Sequence, residues 1–420
     1  MQTLAIIGTG IAGMSCGHFL HREYDITVFE QDSYAGGHTN TIAVEEDNKH
    51  VYFDTGFMVF NHVTYPLLTK LFAELQVDTK PTSMSFGVQH LPSGLEYCGS
   101  GLNGLFAQRK NIANPRFVRM LMQISRFNRE SIKLLNNPTI ESWSVRDFCR
   151  ALSLGDDFLQ KYLIPMSGAV WSTPPDKMLD FPALTLIRFF HNHGFLGLHT
   201  QHQWYTVTDG SRMYRDKIIA PFANRIRLND GAAKVNRLSD GRVEVRTRSG
   251  HTQIFDKVIF ACHADQALRI LQQPTDNEQR LLSCFSYQPN RAIVHTDETL
   301  MPKTKRAWSS WNYRIGSDNL PSTIYWMNSL QGVSEKRNYF VSINGADAID
   351  PKKIIREIDY EHPLFDVKAR KAQTELQTLN EKDSVYFCGS YFRYGFHEDA
   401  LMSAVELCRS LSKKDILKAN

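Results

Sequence analysis

The chain opens on an apolar run with almost no polar interruption. Residues 3–8, Thr-Leu-Ala-Ile-Ile-Gly, predict a strand buried on both faces. Residues 14–24 then predict a helix, and residues 25–29 a second strand that ends at Glu30. Buried runs of the same kind recur at residues 256–263 and 384–390. Residues 225–247 alternate around Asn229-Asp230-Gly231, which predicts a hairpin. Residues 291–295, 322–326 and 339–343 predict further strands. Two stretches carry the helical period. In residues 115–135, Phe117, Leu121, Ile124 and Phe127 mark an apolar side, while Arg119, Arg126 and Lys133 recur every seven residues on another. In residues 398–412, Leu401, Ala404, Val405, Cys408 and Leu411 fall at helical spacing.

The turn between the first strand and the first helix is Gly8-Thr-Gly10-Ile-Ala-Gly13. Strand, glycine turn, helix, strand and acid within about 30 residues are what a dinucleotide fold requires. Gly8 permits the tight turn, Gly10 lets the backbone approach a pyrophosphate, and Gly13 lets the helix pack on the strand. The helix N-terminus then offers free N–H groups to the phosphates. Glu30 would accept hydrogen bonds from ribose hydroxyls and would repel a 2′-phosphate, so NADP fits poorly. Gly99-Ser-Gly101-Leu-Asn-Gly104 matches the same pattern. No strand ending in an acid follows it, so it reads as a glycine-rich loop. The chain thus shows one dinucleotide site.

Composition narrows the partners. The 420 residues are 42% hydrophobic and 22% charged, with a formal charge of +4, which suits a globular protein and does not favour nucleic acid as main partner. No run approaches the ~18–20 apolar residues of a membrane span. No signal peptide is expected before Thr3. Seven cysteines without a CxxC pair argue against a disulfide framework or a thiolate zinc site and suit a reducing cytoplasm. Phe189-Phe-His-Asn-His-Gly194, His199, His202, Trp204 and Tyr205 form an aromatic and histidine cluster. Its irregular spacing favours a substrate-pocket lining over a metal site, and no metal is expected. No GxSxG, HExxH or P-loop motif occurs.

The segment Glu30-Gln-Asp-Ser-Tyr-Ala-Gly-Gly-His-Thr39 resembles the extended fingerprint of FAD enzymes. Gly36, Gly37 and Thr39 match it; His38 stands where an Arg is usual and removes a permanent charge. More widely, the chain resembles the flavin-containing amine oxidase superfamily, alongside protoporphyrinogen oxidase and phytoene desaturase. It is closest to a bacterial group of predicted NAD/FAD-binding, amine-oxidase-like proteins. The matching segments include Gly168-Ala-Val-Trp-Ser172, Trp308-Ser-Ser-Trp-Asn-Tyr313, Tyr325-Trp-Met-Asn328 and Gly395-Phe-His-Glu-Asp399.

The resemblance implies an α/β fold: a Rossmann-like FAD-binding domain interleaved with an α+β substrate-binding domain. Residues 1–80, 220–275 and 380–420 would form the first, and residues 81–219 and 276–379 the second. It implies FAD as cofactor, held by Gly8, Gly10, Ile11, Ala12, Gly13, Glu30, Gln31, Gly36, Gly37, His38 and Thr39. Further contacts are expected from Thr55, Gly56, Phe57, Met58, Val235, Gly389, Ser390, Ala400 and Leu401. Tyr391, Tyr394 and His397 are expected near the reacting atom. The expected activity is oxidation of a C–C or C–N bond of an apolar, fatty-acyl substrate. A flavin isomerase or desaturase of a lipid or isoprenoid, and a non-catalytic FAD-binding protein, are the alternatives. The basic helix allows peripheral contact with a membrane. The oligomeric state is left open.

Overall fold

A computed structural model describes residues 1–197, 200–381, 384–412, 414, 416 and 417. Its centre is a five-stranded parallel sheet. In spatial order the strands are Ile226–Arg227, Asp25–Phe29, Thr3–Ile7, Lys257–Phe260 and Val385–Phe387. Leu4, Ile6, Val28, Ile259 and Phe387 are buried, as strands covered on both faces must be. The helix Ile11–Leu20 follows the first strand, and the last helix, His397–Leu411, packs against it through Cys16, Ala404 and Cys408.

A second sheet of seven strands draws on other parts of the chain. Its order runs Ile354–Leu364, Ser286–His295, Phe340–Ile343, Pro321–Trp326, Trp311–Ile315, Phe86–His90 and Leu95–Cys98. Helices between residues 115 and 192 gather around Phe127, Phe148, Phe158 and Phe190, all buried. A small sheet joins Trp204–Val207 to Phe60–Asn61 and Thr79–Thr82.

Two local expectations need correction. Asn229-Asp230-Gly231 does not turn a hairpin. Instead Asn229 and Asp230 donate backbone N–H groups to the carbonyls of Asp32 and Glu30, which pulls residues 226–227 into the parallel sheet. The hairpin turns later, between Ala232–Arg237 and Val243–Thr247, where Gly241 takes a left-handed φ of 84°. The second glycine pattern is not a loop but ends in the short helix Gly101–Leu105. Among the described residues no helix is long and apolar enough to cross a membrane.

Candidate active site

The glycine turn is held by the acid it anticipates. Thr9 donates its backbone N–H (2.9 Å) and its hydroxyl (2.5 Å) to Oε2 of Glu30. The same hydroxyl accepts the Gly36 N–H at 3.1 Å. Three segments distant in sequence therefore meet at one side chain. Gly8 has φ 97°, a region a β-carbon disfavours. A Cβ on Gly13 would lie 2.0 Å from the Gly8 carbonyl oxygen, so only glycine lets the helix sit this close. A Cβ on Gly10 would meet nothing within 4 Å, because that side opens into a cavity.

This cavity encloses about 980 Å³. At one end it is lined by Gly8, Gly10, Ile11, Ala12, Glu30, Gln31, Gly37 and His38. Gly56, Phe57, Met58, Gly389, Ser390, Tyr391, His397 and Ala400 line it further along. Sixteen of the expected contacts thus share one hollow.

The others stand behind its wall. Gly36 has φ 133°, and a Cβ there would press on the Thr39 carbonyl at 2.4 Å. Thr39 hydrogen-bonds Tyr214 and His397, and the Thr55 hydroxyl meets that of Tyr360 at 2.7 Å. Gly56 is required by His38, whose carbonyl oxygen a Cβ would approach to 2.4 Å.

Three residues sit elsewhere than expected. Val235 is fully buried and its carbonyl accepts the Gln272 N–H. A β-bulge between Ala232 and Lys234 leaves Ala233 out of the ladder, and Ala233 lines the cavity in place of Val235. Leu401 points into the core against the first helix, while its neighbour Ala400, expected beside it, lines the cavity. Tyr394 is half-buried off the wall; its carbonyl accepts the indole N–H of Trp171 at 3.1 Å.

Histidines surround the Gly37 end. His38 stacks on Tyr360 (ring centroids 4.7 Å apart) and lies 5.1 Å from the His362 ring. His263 stacks on Tyr287 at 4.1 Å. Burial, reinforced by His362, His263 and His397, holds His38 well below the ordinary imidazole range. Burial likewise pulls His362 down to about 4. His397 stacks on Phe57 at 4.0 Å, its Nε2 lies 2.8 Å from the Tyr214 hydroxyl, and burial lowers it to about 3. The Tyr391 phenol is buried, which raises its pKa well above 10. A neutral Tyr391 can donate a hydrogen bond but is a poor source of a phenolate.

The lining from residues 58–84, 170–204 and 311–325 is different in kind. It comprises Met58, Val59, Tyr65, Met84, Val170, Trp171, Ser172, Phe189, Phe195, Trp204, Trp311 and Tyr325, with no charged side chain. Of the aromatic and histidine cluster, Phe189 and Trp204 reach this wall. His193 instead packs on Phe189 and approaches Thr64, and His199 lies outside the described residues. Tyr287, Tyr360, His263 and His362 carry no motif that marks them in the sequence. Among the described residues no group of three or more His, Cys, Asp or Glu side chains is disposed to hold a metal.

The cavity suits a dinucleotide on its own geometry. The first helix starts at Gly10 without a side-chain cap and without an acid in its first turn. Its uncapped N–H groups are the donors an anionic diphosphate would satisfy. The buried His38 Nε2, Trp204 Nε1, Trp311 Nε1 and Tyr391 hydroxyl, all on lining residues, have no hydrogen-bond partner among the described residues.

Comparisons agree with this geometry. Comparison of the sequence with curated proteins finds no match. Solved structures of the same fold include putrescine oxidase bound to putrescine, at TM-score 0.69 and 13% identity, covering 98% of each chain. Cyclohexylamine oxidase from Brevibacterium oxydans IH-35A has TM-score 0.68 at 13% identity, covering 98% of this chain and 99% of that one. A fatty acid isomerase from P. acnes that produces CLA has TM-score 0.68 at 14% identity, covering 97% and 98%. The model of the flavin-containing amine oxidoreductases matches residues 11–362. The chain therefore belongs to the flavin-containing amine oxidoreductase family and is an FAD-dependent oxidoreductase.

Proposed function

We propose that this enzyme oxidises a C–C or C–N bond of an apolar substrate, fatty-acyl in class. The observation that carries the reading is the uncharged wall built from residues 58–84, 170–204 and 311–325. A protonated amine enclosed there would lose its hydration without meeting a carboxylate, whereas a hydrocarbon chain would gain by leaving water. The unpartnered indole N–H groups of Trp204 and Trp311 are donors only, and they suit an acyl carbonyl or carboxylate. Bound flavin supplies the hydride acceptor.

The chain's own residues bind and orient. The turn Gly8–Gly13 and Gly37 hold the diphosphate, and Glu30 holds the ribose. Tyr391 and His397 border the reacting end, both neutral, and Tyr394 positions Trp171 through its carbonyl. Residues 1–80, 220–275 and 380–420 form the cofactor part; residues 81–219 and 276–379 form the substrate part. The seven cysteines are free thiols, which supports a cytoplasmic setting.

Anaerobic mixing of the FAD-loaded enzyme with fatty acids and acyl esters, and separately with primary amines, tests the reading. Bleaching of the visible flavin absorbance by the acyl panel is expected. Bleaching by short hydrophilic amines alone overturns it. A second reading, isomerisation, would show substrate consumed with no net bleaching, and the fatty acid isomerase of the same fold makes that outcome worth measuring.

A further inference from the structure

The helix Pro115–Leu134 turns an unusual face to solvent. Phe117, Met120, Phe127 and Ser131 are its buried side. At 100° per residue, Val118, Met122, Arg119, Arg126, Arg129 and Lys133 fall together on the opposite side, and all six are exposed. Met122 is 61% exposed. The preceding segment also exposes Leu102 and Ile112, but it packs on the buried side of the helix, where Phe106 meets Phe117, rings 5.8 Å apart.

The charge on this surface is one-sided. No Asp or Glu occurs from residue 98 to 129, while Arg109, Lys110, Arg116, Arg119, Arg126 and Arg129 do. Arg116 pairs with Asp157, and Arg129 and Lys133 share Glu130. Arg119, Arg126 and Lys110 have no acidic partner among the described residues. A merely solvated helix face has no use for exposed Val118 and Met122. A nucleic-acid face would not interleave them with its cations either. Apolar side chains set among unpaired cations match an anionic bilayer, which takes the first into its acyl boundary and the second among its headgroups.

We propose that this surface, the solvent face of the helix Pro115–Leu134, docks the enzyme reversibly on anionic lipid membranes. The docking is independent of which bond the flavin oxidises. Flotation of the FAD-loaded enzyme with vesicles of phosphatidylcholine, or of phosphatidylcholine with phosphatidylglycerol, at low and high salt tests it. Binding to the anionic vesicles alone, weakened by salt, is expected. Replacing Arg119, Arg126 and Lys133 together by Gln should weaken partitioning about a hundredfold, at roughly 1 kcal/mol per charge. Val118→Ser with Met122→Ser should weaken it about tenfold. Both variants should keep their FAD content and unfolding midpoint, since all five positions are exposed. Absence of anionic-vesicle binding at low salt overturns the proposal. So does binding by the triple variant equal to that of the parent, which would put the contact elsewhere. Binding to duplex DNA at least as tight as to the vesicles, and indifferent to the two Ser substitutions, would show a polyanion face instead.

Discussion

Thr9 gives both its backbone N–H and its hydroxyl to one carboxylate oxygen of Glu30. The other oxygen accepts the Asp32 N–H at 3.0 Å. Glu30 therefore latches the glycine turn before any ribose arrives. Glu30→Ala removes the latch and the ribose acceptor together. Hydrogen bonds to a charged group contribute about 1.5–3 kcal/mol each, so FAD affinity should fall at least tenfold to a hundredfold. Thr9→Ala keeps the backbone bond and should cost less. Titration of FAD-free protein by flavin fluorescence quenching checks the ranking, and equal losses would contradict it.

Gly10 and Gly101 make a matched pair. Gly10 has an ordinary φ of −57° and open space beside it. Gly10→Val should leave the FAD-free protein as stable as before and abolish FAD retention. Gly101 has φ 71° and lies off the cavity, so Gly101→Val should lower the unfolding midpoint and keep FAD. FAD loss in both variants would make the second glycine pattern part of the site.

Five histidines, His193 and His295 buried and the other three half-buried beside the cavity, set a pH dependence. His193, His295 and His362 are held at about 4, His397 at about 3, and His38 well below 6.5. Unfolded, each would bind a proton below about 6.5. Between pH 6.5 and 4 the unfolded chain thus binds more protons, and these groups make stability fall as the pH falls. Asp399, raised to about 7 by burial, acts in the opposite sense over the same range. Unfolding of FAD-free protein at pH 5 should take up between about two and four protons net. Urea midpoints measured from pH 7 to 5 check this; a midpoint that stays flat or rises would contradict it.

The unpartnered indoles offer a further check. Trp311→Phe keeps the ring and removes the N–H. If that N–H meets an acyl oxygen, KM for an acyl substrate should rise about fivefold to tenfold with kcat little changed. An unchanged KM would remove Trp311 from the binding role.

The cofactor end was legible because its determinants are local. Gly8, Gly10, Gly13 and Glu30 act through a turn and the strand beside it, at spacings fixed by the fold. Val235 lies two residues from the one that lines the cavity, and of the expected pair Ala400 and Leu401 only the first does. Which residue of a strand or helix meets the cavity depends on the bulge at Ala233 and on the packing of the last helix, and neither has a signature in the sequence. Tyr360 and His362 were unread for another reason. They come from the edge strand Ile354–Leu364, whose mixed burial offers no apolar alternation to notice. The uncharged wall is assembled from three distant segments and becomes a wall only in three dimensions.

The order of strands in the parallel sheet has a consequence for biosynthesis. The strand Thr3–Ile7 pairs with Lys257–Phe260, which in turn pairs with Val385–Phe387, some 380 residues later. The first helix is covered by the helix His397–Leu411, and Gly389, Tyr391 and His397 all follow Ser384 in the chain. The glycine turn precedes by hundreds of residues the segment that completes the hollow it serves, which closes only once Gly389 to Ala400 have been made. Ribosome-arrested chains that stop before Ser384 should therefore retain no FAD, so cofactor loading must await the segment that follows Ser384.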